Sequence, residues 1–126
     1  MTYAHNSTLK PSRKPMQRSP WKKRAPKKRA GHDKGYLAAC RDQQCWLRIP
    51  GVCMGPLGAD TVVPAHSNQQ RHGKGMGLKA DDRYTVPACM SCHAWIDQGP
   101  ADKQTKFAAW DRAYARWAAY RDRRAA

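Results

Sequence analysis

Pro87-Ala88-Cys89-Met90-Ser91-Cys92-His93-Ala94-Trp95-Ile96-Asp97 is the stretch on which the reading of this chain turns. Its two cysteines have the Cys-x-x-Cys spacing at which two thiolates grip one tetrahedral ion. From Met90 to Gln98 nothing interrupts a helix, and Gly99-Pro100 then stops it. On that helix His93 and Asp97 share a face, where the pair can chelate one cation.

A tetrahedral ion needs two more ligands, and they must come from upstream. Cys45 and Cys53 flank Trp46-Leu47-Arg48-Ile49-Pro50-Gly51-Val52, a short extended run followed by a Pro-Gly turn that folds the second thiol back beside the first. Five cysteines in a chain without an export signal argue against a disulfide framework and for a metal. Cys40 is a rival ligand, but it falls in Gly35 to Gln43, which reads as a short helix, and a small buried hydrophobe is the simpler role. A zinc staple on Cys45, Cys53, Cys89 and Cys92 also suits a body too small to build a large core.

Outside the knuckle the elements are few. Thr61-Val62-Val63 reads as a strand ended by Pro64, with His66 and Asn68 just beyond it. Gln69 to Arg83, with Gly73, Gly75 and Gly77, reads as a long functional loop, and Arg71, His72, Lys74 and Lys79 are its candidate phosphate contacts. Tyr84-Thr85-Val86 is a second strand. Asp102 caps a last helix, spanning 101–123, in which Phe107, Trp110, Tyr114 and Trp117 form one apolar face for core packing.

The charge is unevenly placed. Of 126 residues, 24 are Lys or Arg and 9 are acidic, giving +15. The first 34 hold 11 basic residues and 1 acidic one, so the tail carries +10 and residues 35–126 carry the other +5. This tail should be disordered when free and attracted to nucleic acid, above all through Lys22, Lys23, Arg24, Lys27, Lys28 and Arg29. Its prolines forbid a long amphipathic helix on a membrane surface. No apolar run is long enough to span a bilayer or to serve as a signal core, so a soluble, cytoplasmic chain is expected.

Taken in order, Cys45-x-x-Arg48-Ile49-Pro50-Gly51-Val52-Cys53, Val63-Pro64-Ala65-His66-Ser67-Asn68, the segment Gly73 to Asp82, and Cys89-x-x-Cys92-His93-x-x-Ile96-Asp97 resemble the small phage and prophage HNH-type nucleases of the YbcO kind. The Ref-type recombination nucleases are a more distant likeness. The resemblance implies an α+β, zinc-stapled ββα-metal fold (His-Me finger) whose core is 45–99, and metal-dependent cleavage of DNA by a phage- or prophage-encoded protein of the bacterial cytoplasm. It assigns His66 as the catalytic histidine and His93, with Asp97, as ligands of a catalytic Mg²⁺ or Mn²⁺. Ala65 stands where many such enzymes have a further ligand, and Asp82, Asp81 or Asn68 is left to supply it. DNA is the implied partner, with a homodimer and phage recombination proteins as further candidates.

Two alternatives stay open on the residues alone. His93 can instead complete a Cys3His zinc site. The whole chain can be a zinc-stapled DNA-binding module without catalysis. A haem attached at Cys-x-x-Cys-His is disfavoured, because it requires export and a distal ligand.

Overall fold

Strands β1 (Val63–His66) and β2 (Thr85–Ala88) pair antiparallel, and Pro64 lies directly opposite Pro87. Taken alone, Pro64 ends the first strand, because proline cannot donate to a ladder. Ser67 N–H donates to the Tyr84 carbonyl at 3.0 Å, which puts positions 63, 65 and 67 in hydrogen-bonded pairs. The two prolines therefore share a pair that needs no donor, and the strand runs on to His66. Thr61, expected in that strand, instead ends a 3₁₀ turn (Gly55–Thr61). Its hydroxyl accepts the Met90 N–H at 3.0 Å and so satisfies a free donor at the start of the next helix.

The computed structural model describes residues 29–125 without a break, together with 14, 15, 17, 19, 20 and 25. The expected tail contacts Lys22, Lys23, Arg24, Lys27 and Lys28 lie outside the described residues, while Arg29 is described and exposed. Helix α1 (Lys34–Ala39) is capped by Asp33, whose Oδ1 accepts the Gly35 N–H at 2.9 Å. It stops short of the expected Gln43, and Asp42 beyond it takes a left-handed φ of 59°, which no α-helix continues. Cys40 follows that helix, buried between the Tyr36 carbonyl and the Thr85 hydroxyl. Burial pushes its thiol up to about 11. It is a core residue, the small buried hydrophobe expected of it.

Helix α2 (Met90–Gln98) keeps the bounds read from the sequence. Helix α3 (Lys103–Ala125) starts behind Asp102, whose Oδ1 accepts the Thr105 N–H at 3.0 Å. Trp110, Ala113 and Trp117 are buried along one face of α3, which packs on β2, and Phe107 and Tyr114 border that face half-buried. The Trp110 indole N–H points to the Ala65 carbonyl at 3.4 Å, so the same face fixes the strand that carries His66. Among the described residues no helix is long and apolar enough to cross a membrane. The fold is a small α+β unit with a two-stranded sheet.

Candidate active site and cysteine cluster

The sulfurs of Cys45, Cys53, Cys89 and Cys92 all lie within 4.8 Å of one another. Around zinc at the usual bond length of about 2.3 Å, tetrahedral sulfurs stand roughly 3.8 Å apart, so the cluster fits one ion with little movement. Two segments build it. β2 delivers Cys89 to the start of α2, and the Trp46 N–H, bonded to the Pro87 carbonyl at 2.8 Å, holds the 45–53 segment against the far edge of β2. Three of the four are buried, and burial raises the thiols of Cys45 and Cys92. Burial also opposes ionisation of Cys89, but hydrogen bonds from the Met54 and Cys92 backbone and from the neighbouring thiols outweigh it and bring that thiol to about 7. Such a crowded thiol set cannot carry several negative charges without a cation between them. These four residues can hold a metal ion.

His66 ends β1, and its Nε2 meets Asp82 Oδ1 at 2.8 Å. Asp82 is almost fully buried, and its second oxygen accepts the Asp33 N–H at 2.8 Å. Desolvation opposes the charge on Asp82, yet the His66 and Asp33 hydrogen bonds win and hold its carboxyl below the usual aspartate value. Both Asp82 oxygens are thus engaged, one with His66 and the other with the Asp33 backbone. A carboxylate on Nε2 fixes the proton there and leaves Nδ1 as the basic nitrogen. Among the described residues Nδ1 has no protein partner.

The residues just before α1 complete this arrangement. The Asp82 N–H donates to the Gly31 carbonyl at 3.0 Å. Gly31 has φ +82, and a Cβ there would run into the Asp81 side chain. A boundary between residues 34 and 35 falls inside α1, leaving the cap Asp33 and the first helical residue Lys34 apart from the rest of the helix, and it cuts through the contacts that hold Asp82.

On α2, His93 Nε2 and Asp97 Oδ2 are 3.2 Å apart, and Asn68 Nδ2 donates to Asp97 Oδ1 at 2.9 Å. The hydrogen bond that His93 donates to Asp97 raises the imidazole pKa of His93 and lowers the carboxyl pKa of Asp97. Lys79 sits close enough to His93, and Lys74 close enough to Asp97, to act on them electrostatically. His93 points away from the cysteine cluster to Asp97, and the four sulfurs need no fifth partner. Asn68 therefore bridges the end of β1, where His66 stands, to the His93 and Asp97 face of α2.

The sequence profile of the family described as “Putative nuclease YbcO” matches residues 36–124. The chain belongs to the YbcO family. It is 40% identical over 60 residues to “Putative nuclease YbcO” of Escherichia coli (strain K12), across 48% of this chain and 59% of that protein. The “Putative nuclease ybcO” of Enterobacteria phage 82 matches with the same identity and coverage. The chain thus spans about three fifths of the length of these curated relatives. No solved structure matches it.

The site of this YbcO-family chain also corrects one expectation. His72, expected to contact phosphate, is buried, with Nδ1 at 2.6 Å from the Ser67 hydroxyl and its ring stacked on Tyr84 at 4.2 Å. Desolvation lowers its pKa, so it packs as a neutral ring beneath the loop. Arg71 is tied to Gln69 at 2.7 Å and to Asp111 of α3 at 2.8 Å. Sequence reasoning missed Ser67, Gln69 and Asp111, which anchor the turn after Asn68. Asp111 also accepts from Gln69 at 2.7 Å, across 42 residues of chain, a distance no local spacing signals.

Proposed function

We propose that this chain is a metal-dependent endonuclease of the HNH, or ββα-metal, type that hydrolyses DNA phosphodiester bonds in phage recombination or DNA processing. The observation that carries this reading is the Asn68 bridge, which joins an aspartate-held histidine to a histidine-carboxylate pair on the next helix. His66 Nδ1 takes a proton from water as the water oxygen attacks phosphorus, while Asp82 stabilises the imidazolium that forms. His93 and Asp97 would hold a divalent ion, and Mg²⁺ or Mn²⁺ suits such a nitrogen and oxygen pair. When bound, that ion supplies charge stabilisation for the phosphorane and the departing oxygen. Ala65 is fully buried and offers nothing to a metal. Zinc is assigned to the four cysteines, and the surplus of positive charge favours DNA as partner.

Nicking of supercoiled plasmid tests this. Cleavage should appear with Mg²⁺ or Mn²⁺, stop with chelator and fall sharply in His66→Ala. Binding without nicking under any metal would leave the catalytically silent DNA-binding module as the better reading.

A further inference from the structure

The glycine loop contains a short hairpin whose tip is apolar. Gly75 and Leu78 exchange both backbone hydrogen bonds, at 3.2 and 3.1 Å, and Gly77 takes the left-handed φ of 69° that closes so tight a turn. Held this way, the Met76 side chain is fully exposed at 103% and Leu78 half exposed at 50%. The core does not need them. An apolar tip on a chain this basic calls for a partner, and two side chains are far too small a patch for a stable protein interface, which buries about 800 Å² on each side.

The surroundings of the tip point to DNA. Lys74 and Lys79 flank the turn and lie near Asp97 and His93. A groove of about 240 Å³ runs between the hairpin base, Gly73 and Leu78 to Asp81, and the segment Arg29 to His32. The hairpin therefore stands beside the candidate metal pair, and the segment Arg29 to His32 lies at its foot.

We propose that the Gly75–Leu78 hairpin is a DNA wedge, in which Met76, supported by Leu78, inserts between stacked bases of duplex DNA while Lys74 and Lys79 hold the flanking phosphates. Apolar side chains used in this way unstack one base step and kink the duplex by roughly 20–90°. Here the deformation would present the scissile strand to His66 and His93, so the inference rests on the endonuclease reading. A wedge also favours flexible pyrimidine–purine steps, because deforming them costs least.

The test uses the full chain carrying His66→Ala, so that the DNA stays intact, and duplexes with 2-aminopurine at successive positions. Binding should raise fluorescence at one step, and Met76→Ala with Leu78→Ala should abolish the rise. These exposed substitutions should leave the melting temperature nearly unchanged. In the otherwise wild-type chain the same pair should lower kcat/KM for duplex roughly tenfold and spare a substrate already kinked by an unpaired base. A parent protein that binds without any fluorescence rise, or a double variant that keeps it, overturns the wedge. Unstacking by a chain that never cleaves would sustain the wedge and defeat the endonuclease reading, whereas metal-dependent cleavage with no unstacking would do the reverse. Self-association lost on Met76→Ala, with DNA fluorescence unmoved, would give the tip to a second copy instead.

Discussion

Asp82→Asn separates orientation from charge at the candidate catalytic histidine. Both Asp82 oxygens accept hydrogen bonds at 2.8 Å, one involving His66 Nε2 and one from the Asp33 N–H. Asparagine keeps the shape but has one acceptor, and the backbone N–H of Asp33 cannot become anything but a donor. The amide oxygen must stay on Asp33, so the amide NH₂ turns to His66 and Nε2 must become an acceptor. The proton then moves to Nδ1, the nitrogen assigned as base. Exchanging two charge-assisted bonds for neutral ones should cost about 1–2 kcal/mol of stability. Holding the wrong tautomer should lower kcat on the order of 10²-fold to 10⁴-fold, or about 2.7 kcal/mol and upward. The catalytic effect is therefore the larger, and the folded protein persists to show it. Single-turnover cleavage at saturating DNA gives the rate, and ¹⁵N shifts of the His66 ring give the tautomer. Cleavage at the wild-type rate with the tautomer switched would refute the role of Nδ1 as base.

Cys89→Ser and Cys92→Ser should each unfold the body, since structural zinc contributes on the order of 10 kcal/mol to folding, and elemental analysis of the parent chain should find one tightly held zinc. A cooperative melt of the metal-free parent would contradict the staple. The raised imidazole pKa of His93 makes divalent-ion affinity proton-linked: below that value the ion must displace a proton, so affinity should climb as pH rises through a value above the usual 6.5 and then level off. His93→Ala should weaken binding and flatten this dependence, as Mn²⁺ titration would show; lost zinc would instead place His93 in the structural site. For Asp82 the folded pKa is depressed, so its contribution is complete above the usual aspartate value of 3.8 and fades as pH falls through the lower folded value. Acid melting of Asp82→Asn should accordingly lack that component. Deleting residues 1–28 removes nine of the eleven basic residues, leaving Arg29 and Lys34, and should lower the salt slope of DNA binding by several units at unchanged kcat. Deleting 1–33 also removes the Asp33 and Gly31 contacts, and kcat should fall; equal rates for the two truncations would show that those contacts do not matter.

Local chemistry was enough to determine the cysteine knuckle, the bounds of α2, the cap and aromatic face of α3, and the pairing of His93 with Asp97. Each depends on spacings of three or four residues, which helix geometry converts directly into contacts. The end of β1 was not legible locally, because the effect of Pro64 depends on Pro87 across the sheet. The partner of His66 was beyond any local reading. Asp82 lies 16 residues away, and Asp33, which holds it, another 49 away. Nor did a histidine in a basic glycine loop announce that His72 would be buried against Tyr84 and Ser67. Those choices belong to the tertiary structure, because a buried carboxylate or imidazole goes wherever the packed chain offers it hydrogen bonds, and only the fold brings such distant partners together.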